Sequence, residues 1–116
     1  MIEVKNVTKR FGGFAALNDA TLSVPTGAVY GLVGPNGAGK STTMNILTGY
    51  LSATAGTVRI DGHDILSDAK AAKRCIGYLP ELPPVYTDMT VLEYLKFVAE
   101  LKKIPKDQRK KQILEV

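Results

Sequence analysis

The chain has 116 residues, which allows one small domain or a part of a larger one and excludes a two-domain enzyme. Hydrophobic residues at 45% and charged residues at 22% lie near the globular average, which excludes a disordered tail or a fibrous repeat. The formal charge of +4 is local: residues 1–95 hold 8 basic and 8 acidic groups, so the excess of 7 over 3 falls wholly in residues 96–116.

In chain order the apolar pattern first reads as short strands. Ile2, Val4 and Val7 give a near-alternating run, and Leu22 and Val24 alternate before Pro25 and Gly27 break the chain. Residues 28–33 (Ala28-Val29-Tyr30-Gly31-Leu32-Val33) are almost continuously apolar, the pattern of a core strand buried on both faces. A helix is expected from about Lys40 to Thr48, closed by Gly49. Residues 57–60 alternate again and meet Asp61-Gly62, a two-residue hairpin signal. Residues 75–79 (Cys75-Ile76-Gly77-Tyr78-Leu79) form a further apolar strand stopped by Pro80. After the Pro-rich loop 80–88, Thr90 followed by Glu93 makes a capping box. Behind it Val91, Tyr94, Leu95, Val98 and Leu101 line one face of a helix that ends before Pro105. Residues 106–116 begin another helical pattern, with Ile113 and Leu114, and the sequence then stops without a cap or breaker. That reads as a cut end. The core of so short a chain has little margin.

Side-chain chemistry narrows the function classes. No nucleic-acid reading motif accompanies the C-terminal cations, which are read as a solvated helix face. No run approaches the ~18 apolar residues of a bilayer span, and the first residues lack the layout of a secretory signal, which points to the cytoplasm. Cys75 is the single cysteine, so no internal disulfide or cysteine-cluster metal site can form; it is read as a buried small hydrophobe. His63, the sole histidine, follows Asp61-Gly62 and is read as a solvated turn residue.

Between the expected strand 28–33 and the helix from about residue 40 lies Gly34-Pro35-Asn36-Gly37-Ala38-Gly39-Lys40-Ser41-Thr42. It satisfies G-x-x-x-x-G-K-[ST], the phosphate-binding P-loop, in the strand–loop–helix setting the motif requires. Glycines let the backbone wrap closely round a triphosphate. The N–H groups of about residues 37–42 are then expected to bind anionic oxygens, aided by the helix dipole. Lys40 is expected to reach the β- and γ-phosphates and the Ser41 hydroxyl to ligate Mg²⁺.

From these residues the chain resembles the ATP-binding subunit of ABC transporters, and the likeness extends along essentially all 116 residues. Lys9-Arg10-Phe11-Gly12 and Ala16-Leu17 are similar to the family's N-terminal segment, whose aromatic stacks on adenine; that role falls to Phe11. Thr42 takes the place of an α-phosphate contact. Ala55-Gly56-Thr57-Val58 and Ile60-Asp61-Gly62 resemble the strand and turn after the first helix. Ile76-Gly77-Tyr78-Leu79-Pro80 leads into the Q-loop position, held here by Glu81 where most members carry glutamine. A glutamate there offers oxygen to the metal, yet a second anion beside the γ-phosphate raises the cost of the metal-free complex. Glu81-Leu82-Pro83-Pro84 followed by Met89-Thr90-Val91 looks most like an export-type branch.

The resemblance implies an α/β P-loop NTPase fold, a RecA-like core that is incomplete, with an antiparallel β-subdomain. Residues 1–116 would be the N-terminal part of a single ATP-binding domain. It implies ATP and Mg²⁺ as ligands. The intact subunit would dimerise head to tail around two nucleotides and drive a transmembrane permease subunit, peripheral to the membrane on its cytoplasmic side, with no nucleic-acid partner. The family's Leu-Ser-Gly-Gly-Gln-like signature, its strand ending in Asp-Glu and its switch histidine fall beyond residue 116. Without them this stretch is expected to bind nucleotide without turnover. The family's sheet order also leaves strands 28–33 and 75–79 with unpaired edges. Two other readings compete: a different P-loop NTPase, for which no guanine-reading motif is present, and a non-enzymatic module that docks on a membrane subunit through the loop at 80–88 and the basic tail.

Overall fold

The structure, a computed structural model, describes every residue except Pro84, so the part of the Glu81–Pro84 reading that falls on Pro84 lies outside the described residues. The chain forms two compact units, Met1–Tyr78 and Leu79–Val116.

The first unit is built on a four-stranded antiparallel sheet of β1 (Ile2–Phe11), β2 (Phe14–Val24), β3 (Ala55–Ile60) and β4 (His63–Asp64), in the order β2-β1-β3-β4. Helix α1 (Lys40–Leu47) and the short α2 (Ala69–Arg74) accompany it. Val4 and Val7 both face the core although three residues apart, because the β1 register shifts between them and Asn6 adopts φ 51°. Such a bulge adds a residue and returns the next side chain to the buried face. Asn6 is held there by its N–H donating to Thr21 Oγ1 at 3.0 Å and its amide donating to Asp19 Oδ1 at 2.9 Å. The Asp61-Gly62 turn forms as expected, with φ of 49° and 79°, the double positive value that a two-residue type I′ hairpin demands.

Val4, Val7, Ile46, Val58, Ile60 and Ala72 make the buried cluster, with Leu17, Leu22, Leu47 and Ile65 packed against it. Ile46 is the contact that seats α1 on the sheet and thereby fixes where the loop before it ends. Burying an aliphatic side chain of this size stabilises by about 1.5–3 kcal/mol.

Several readings are corrected. The run 28–33 is in no ladder, and Val29 and Val33 are 102% and 92% exposed, while Tyr30 and Leu32 line an open apolar groove with Leu22 and Met44. Residues 75–79 likewise form no strand. An apolar run records a demand for burial, but a strand forms only where a neighbour supplies the other half of the hydrogen bonds. Among the described residues no strand pairs with either run. Cys75 is exposed, not buried; it caps the C-terminus of α2 and its thiol donates to the Ala71 carbonyl at 3.4 Å. His63 lies in β4 instead of a free turn, half-buried, with Nδ1 2.9 Å from Asp68 Oδ2. Helix α2 has no apolar periodicity to announce it; its signal is the run of Ala, Lys and Arg helix formers after Asp68.

The second unit pairs α3 (Val91–Leu101) with α4 (Lys106–Glu115). The capping box is present as read: Glu93 N–H donates to Thr90 Oγ1 at 3.2 Å, and Thr90 N–H to Glu93 Oε2 at 3.5 Å. Of the expected apolar face, Tyr94, Leu95 and Val98 are half-buried, whereas Val91 and Leu101 are exposed, and the one buried side chain of α3 is Ala99. Tyr86 meets Phe97 edge to face with ring centroids 5.8 Å apart. Arg109 donates to the Ile104 carbonyl at 2.7 Å and lies 3.6 Å from Glu100. The lysines of this segment are exposed, as a solvated helix face requires. Among the described residues no helix is long and apolar enough to cross a membrane.

Candidate functional site: a phosphate-binding loop beside an aromatic wall

The loop 34–39 runs directly into α1 at Lys40, and Gly39 takes the N-cap place with φ 92°, a left-handed conformation. No side chain caps this helix. Its first-turn N–H groups are therefore left without a side-chain acceptor, and such a helix start, at the positive end of the dipole, suits an anion. The junction is held by Thr43, which is buried and donates through both its N–H (2.9 Å) and its hydroxyl (2.8 Å) to the Gly39 carbonyl. Gly39 must be glycine for a second reason: a Cβ there would lie 2.8 Å from Leu17 Cδ2 and 2.9 Å from the Ala16 carbonyl oxygen.

The Lys40 ammonium folds back over the loop and donates to the carbonyls of Gly34 and, at 2.8 Å, Pro35. Those carbonyls are neutral acceptors, so a phosphate that offers charged oxygens competes for the same donors with the advantage of charge assistance. Ala38 turns its N–H to the Pro35 carbonyl at 3.2 Å.

Asn36, Gly37 and Gly39 to Thr42 form one side of an open cleft of about 410 Å³, and Phe11, Phe14 and Ala16 form the other. The tertiary structure thus brings together Phe11, Asn36, Gly37, Gly39, Lys40, Ser41 and Thr42 of the expected site; Ala38 belongs to the loop without lining the cleft. Lys40 is the only charged residue among the described residues that line it, a composition that suits an anion. The exposed Ser41 hydroxyl is a hard oxygen donor in the first turn of α1, and no thiolate or imidazole lines the cleft. That donor set fits a hard cation such as Mg²⁺, which takes few protein ligands and completes its shell with phosphate oxygens and water. Glu81 belongs to the second unit, exposed in the irregular loop before α3.

Phe11 is 50% exposed on the cleft wall, and the Lys9 ammonium lies 5.2 Å from its ring centroid. Sequence reasoning missed Phe14, and took Ala16 only as part of the N-terminal segment that carries Phe11. The available signal is the Phe11-Gly12-Gly13-Phe14 run, two aromatics flanking a two-glycine turn, which places both rings at the tip of one hairpin.

Residues 17–116 match the family described as ABC transporter. The chain is 41% identical over 116 residues to "ABC transporter A family member 5" of Dictyostelium discoideum, an alignment that covers 97% of this chain and 7% of that protein. It is 40% identical over 94 residues to "Nod factor export ATP-binding protein I" of Burkholderia orbicola (strain AU 1054), covering 81% of this chain and 31% of that one. Among solved structures it is similar to the ATP-binding cassette MJ0796, described as dimeric in a post-hydrolysis state bound to ADP and Pi. The TM-score is 0.78 at 28% identity, covering 99% of this chain and 55% of that one. The chain therefore spans a minority of the length of the two curated relatives and about half of the solved cassette. The P-loop geometry, the α/β fold of the P-loop NTPase class and this family match agree, and the chain belongs to the ABC transporter family, within its ATP-binding domain.

Proposed function

We propose that this chain binds MgATP in the cleft between the P-loop and the Phe11 wall, and that it is the N-terminal part of a single ATP-binding domain of a transporter. The observation that carries the reading is the uncapped α1 start with Lys40 folded over the loop opposite an exposed aromatic ring. In the bound state Lys40 exchanges the Gly34 and Pro35 carbonyls for the β- and γ-phosphates, and Thr42 meets the α-phosphate. Ser41 would hold Mg²⁺, which would supply charge neutralisation at the phosphates. The base stacks on Phe11.

In the whole subunit we assign hydrolysis that powers transport, head-to-tail dimerisation and docking on a transmembrane permease at the cytoplasmic side of the membrane. The dimeric description of the MJ0796 cassette supports the second of these. Export is the direction supported by the residues from Glu81 to Val91 and by the printed name of the Burkholderia relative. Residues 1–116 alone bind without turnover: the residues lining the cleft include no carboxylate to activate a water.

Titration calorimetry of the chain with MgATP, in the wild type and in Lys40→Met, tests the reading. Hydrogen bonds from a charged donor are worth about 1.5–3 kcal/mol, so the variant is expected to bind at least tenfold more weakly while its circular dichroism is unchanged. Equal affinity in the two proteins, or no heat at millimolar MgATP in a folded wild type, refutes it. Magnesium-dependent ATPase activity of the wild type that Lys40→Met abolishes refutes the absence of turnover alone.

A further inference from the structure

We propose that Phe14 and Lys9 complete a nucleobase pocket around Phe11: Phe14 is a second aromatic contact to the base, and Lys9 is a positioning residue that occupies one face of the Phe11 ring. This rests on the reading of the cleft as a nucleotide site.

Phe11 and Phe14 are the last directly paired residues of the β1–β2 hairpin, closing it around Gly12-Gly13. Directly opposed residues of an antiparallel pair project to the same face of the sheet, and both rings line the cleft that the P-loop closes from the other side. Phe14 is 65% exposed, more than Phe11. A phenyl ring gains nothing from water and has no polar handle, so its place on the wall is suited to covering by a flat apolar surface.

Lys9 sits two residues before Phe11 on β1, with its ammonium 5.2 Å from the ring centroid, within cation–π range. Lys9 does not itself line the cleft, whereas Phe11 does. The ammonium therefore covers one face of the Phe11 ring and leaves the opposite face for a base, with Phe14 on the same cleft wall.

A specificity follows. At the aromatic wall the lining residues are Phe11, Phe14 and Ala16, none of which carries a hydrogen-bonding side chain, while the polar side chains lie on the P-loop side. The base is consequently recognised by stacking area and not by its edge pattern. Purines are favoured over pyrimidines, with little distinction between adenine and guanine. Discrimination by edge would need a side chain built to pair with the base.

Calorimetric affinities of the chain for MgATP, MgGTP, MgCTP and inorganic triphosphate test this in the wild type, Phe14→Ala, Phe14→Tyr and Lys9→Met. Wild type is expected to bind ATP and GTP within about threefold of each other and CTP more weakly. Phe14→Ala is expected to weaken ATP roughly tenfold, leave triphosphate within about twofold and narrow the ATP-to-CTP ratio, and Phe14→Tyr to restore it. Lys9→Met is expected to weaken ATP about two- to fivefold with triphosphate unchanged. A second measurement needs no variant to fold: with phenylalanine rings isotopically labelled, ATP and not triphosphate is expected to shift the ring signals of both Phe11 and Phe14. A shift of Phe11 alone, wild-type ATP affinity in Phe14→Ala, or equal loss of ATP and triphosphate overturns the proposal while leaving the P-loop reading in place. A folded wild type that binds neither ATP nor triphosphate overturns both.

Discussion

Replacing Gly39 by alanine asks an L-residue to hold φ 92° and places a methyl 2.9 Å from the Ala16 carbonyl oxygen and 2.8 Å from Leu17 Cδ2. The leucine terminus can rotate away, but the carbonyl belongs to β2, so the β2 backbone and the start of α1 must move apart. The left-handed conformation costs about 1–2 kcal/mol and overpacking typically about 1–3 kcal/mol, which together give about 2–5 kcal/mol. Gly37→Ala is the internal control: its φ is 85° but a Cβ there meets nothing within 4 Å, so it carries the backbone cost alone. Urea denaturation of both variants, followed by titration with MgATP, separates the two contributions. Gly39→Ala is expected to be less stable than Gly37→Ala by about 1–3 kcal/mol and, because the first-turn N–H groups shift with the helix start, to bind ATP at least tenfold more weakly than wild type. Equal stability of the two variants, with wild-type ATP affinity in Gly39→Ala, refutes the claim that close approach of Ala16 fixes the mouth of the site.

Thr90→Ala removes the acceptor for the Glu93 N–H and half of the reciprocal cap of α3; a loss of about 1 kcal/mol is expected, read as a lower thermal midpoint in helical ellipticity, with Thr90→Ser recovering most of it. Unchanged midpoints would show that packing alone holds the helix start. Asp64 accepts the N–H groups of Ser67 and Leu66, and these bonds, that of Ser67 first, hold its carboxyl below the usual 3.8. A depressed carboxylate stabilises above the unfolded-state value, and that stability is lost as pH falls through the folded one. Asp64→Asn keeps an acceptor oxygen without titrating, so its thermal midpoint is expected to fall less steeply than that of the wild type below about pH 4. Parallel acid limbs would exclude the role. Asp61, lowered first by its hydrogen bond to the terminal ammonium and then by that charge, keeps its share of the acid dependence in both proteins.

Legibility of the site divides along the same line as legibility of the fold. The P-loop, the Asp61-Gly62 turn, the Gly49 stop at φ 76° and the Thr90–Glu93 cap are all written in neighbouring residues, because each is a requirement on a few backbone torsions or on one local hydrogen bond. β1 and β2 extend well past the alternation that announced them, since residues such as Thr8, Lys9 and Arg10 enter the ladder through pairing with another strand and not through their own apolarity. Phe14 joins the cleft for the same reason: its role depends on a hairpin register that sets it opposite Phe11 and on the packing of Ile46 that brings α1 alongside.

By itself, then, the sequence determined the chemistry of the phosphate end, whose parts are contiguous along the chain. Only the tertiary structure decided which side chains face that end across the cleft, and that residues 28–33 and 75–79, apolar enough to be core strands, are left without a ladder. Side-chain pattern records that a segment seeks burial; whether it becomes a strand is settled by a partner whose hydrogen bonds and apolar face lie elsewhere in sequence.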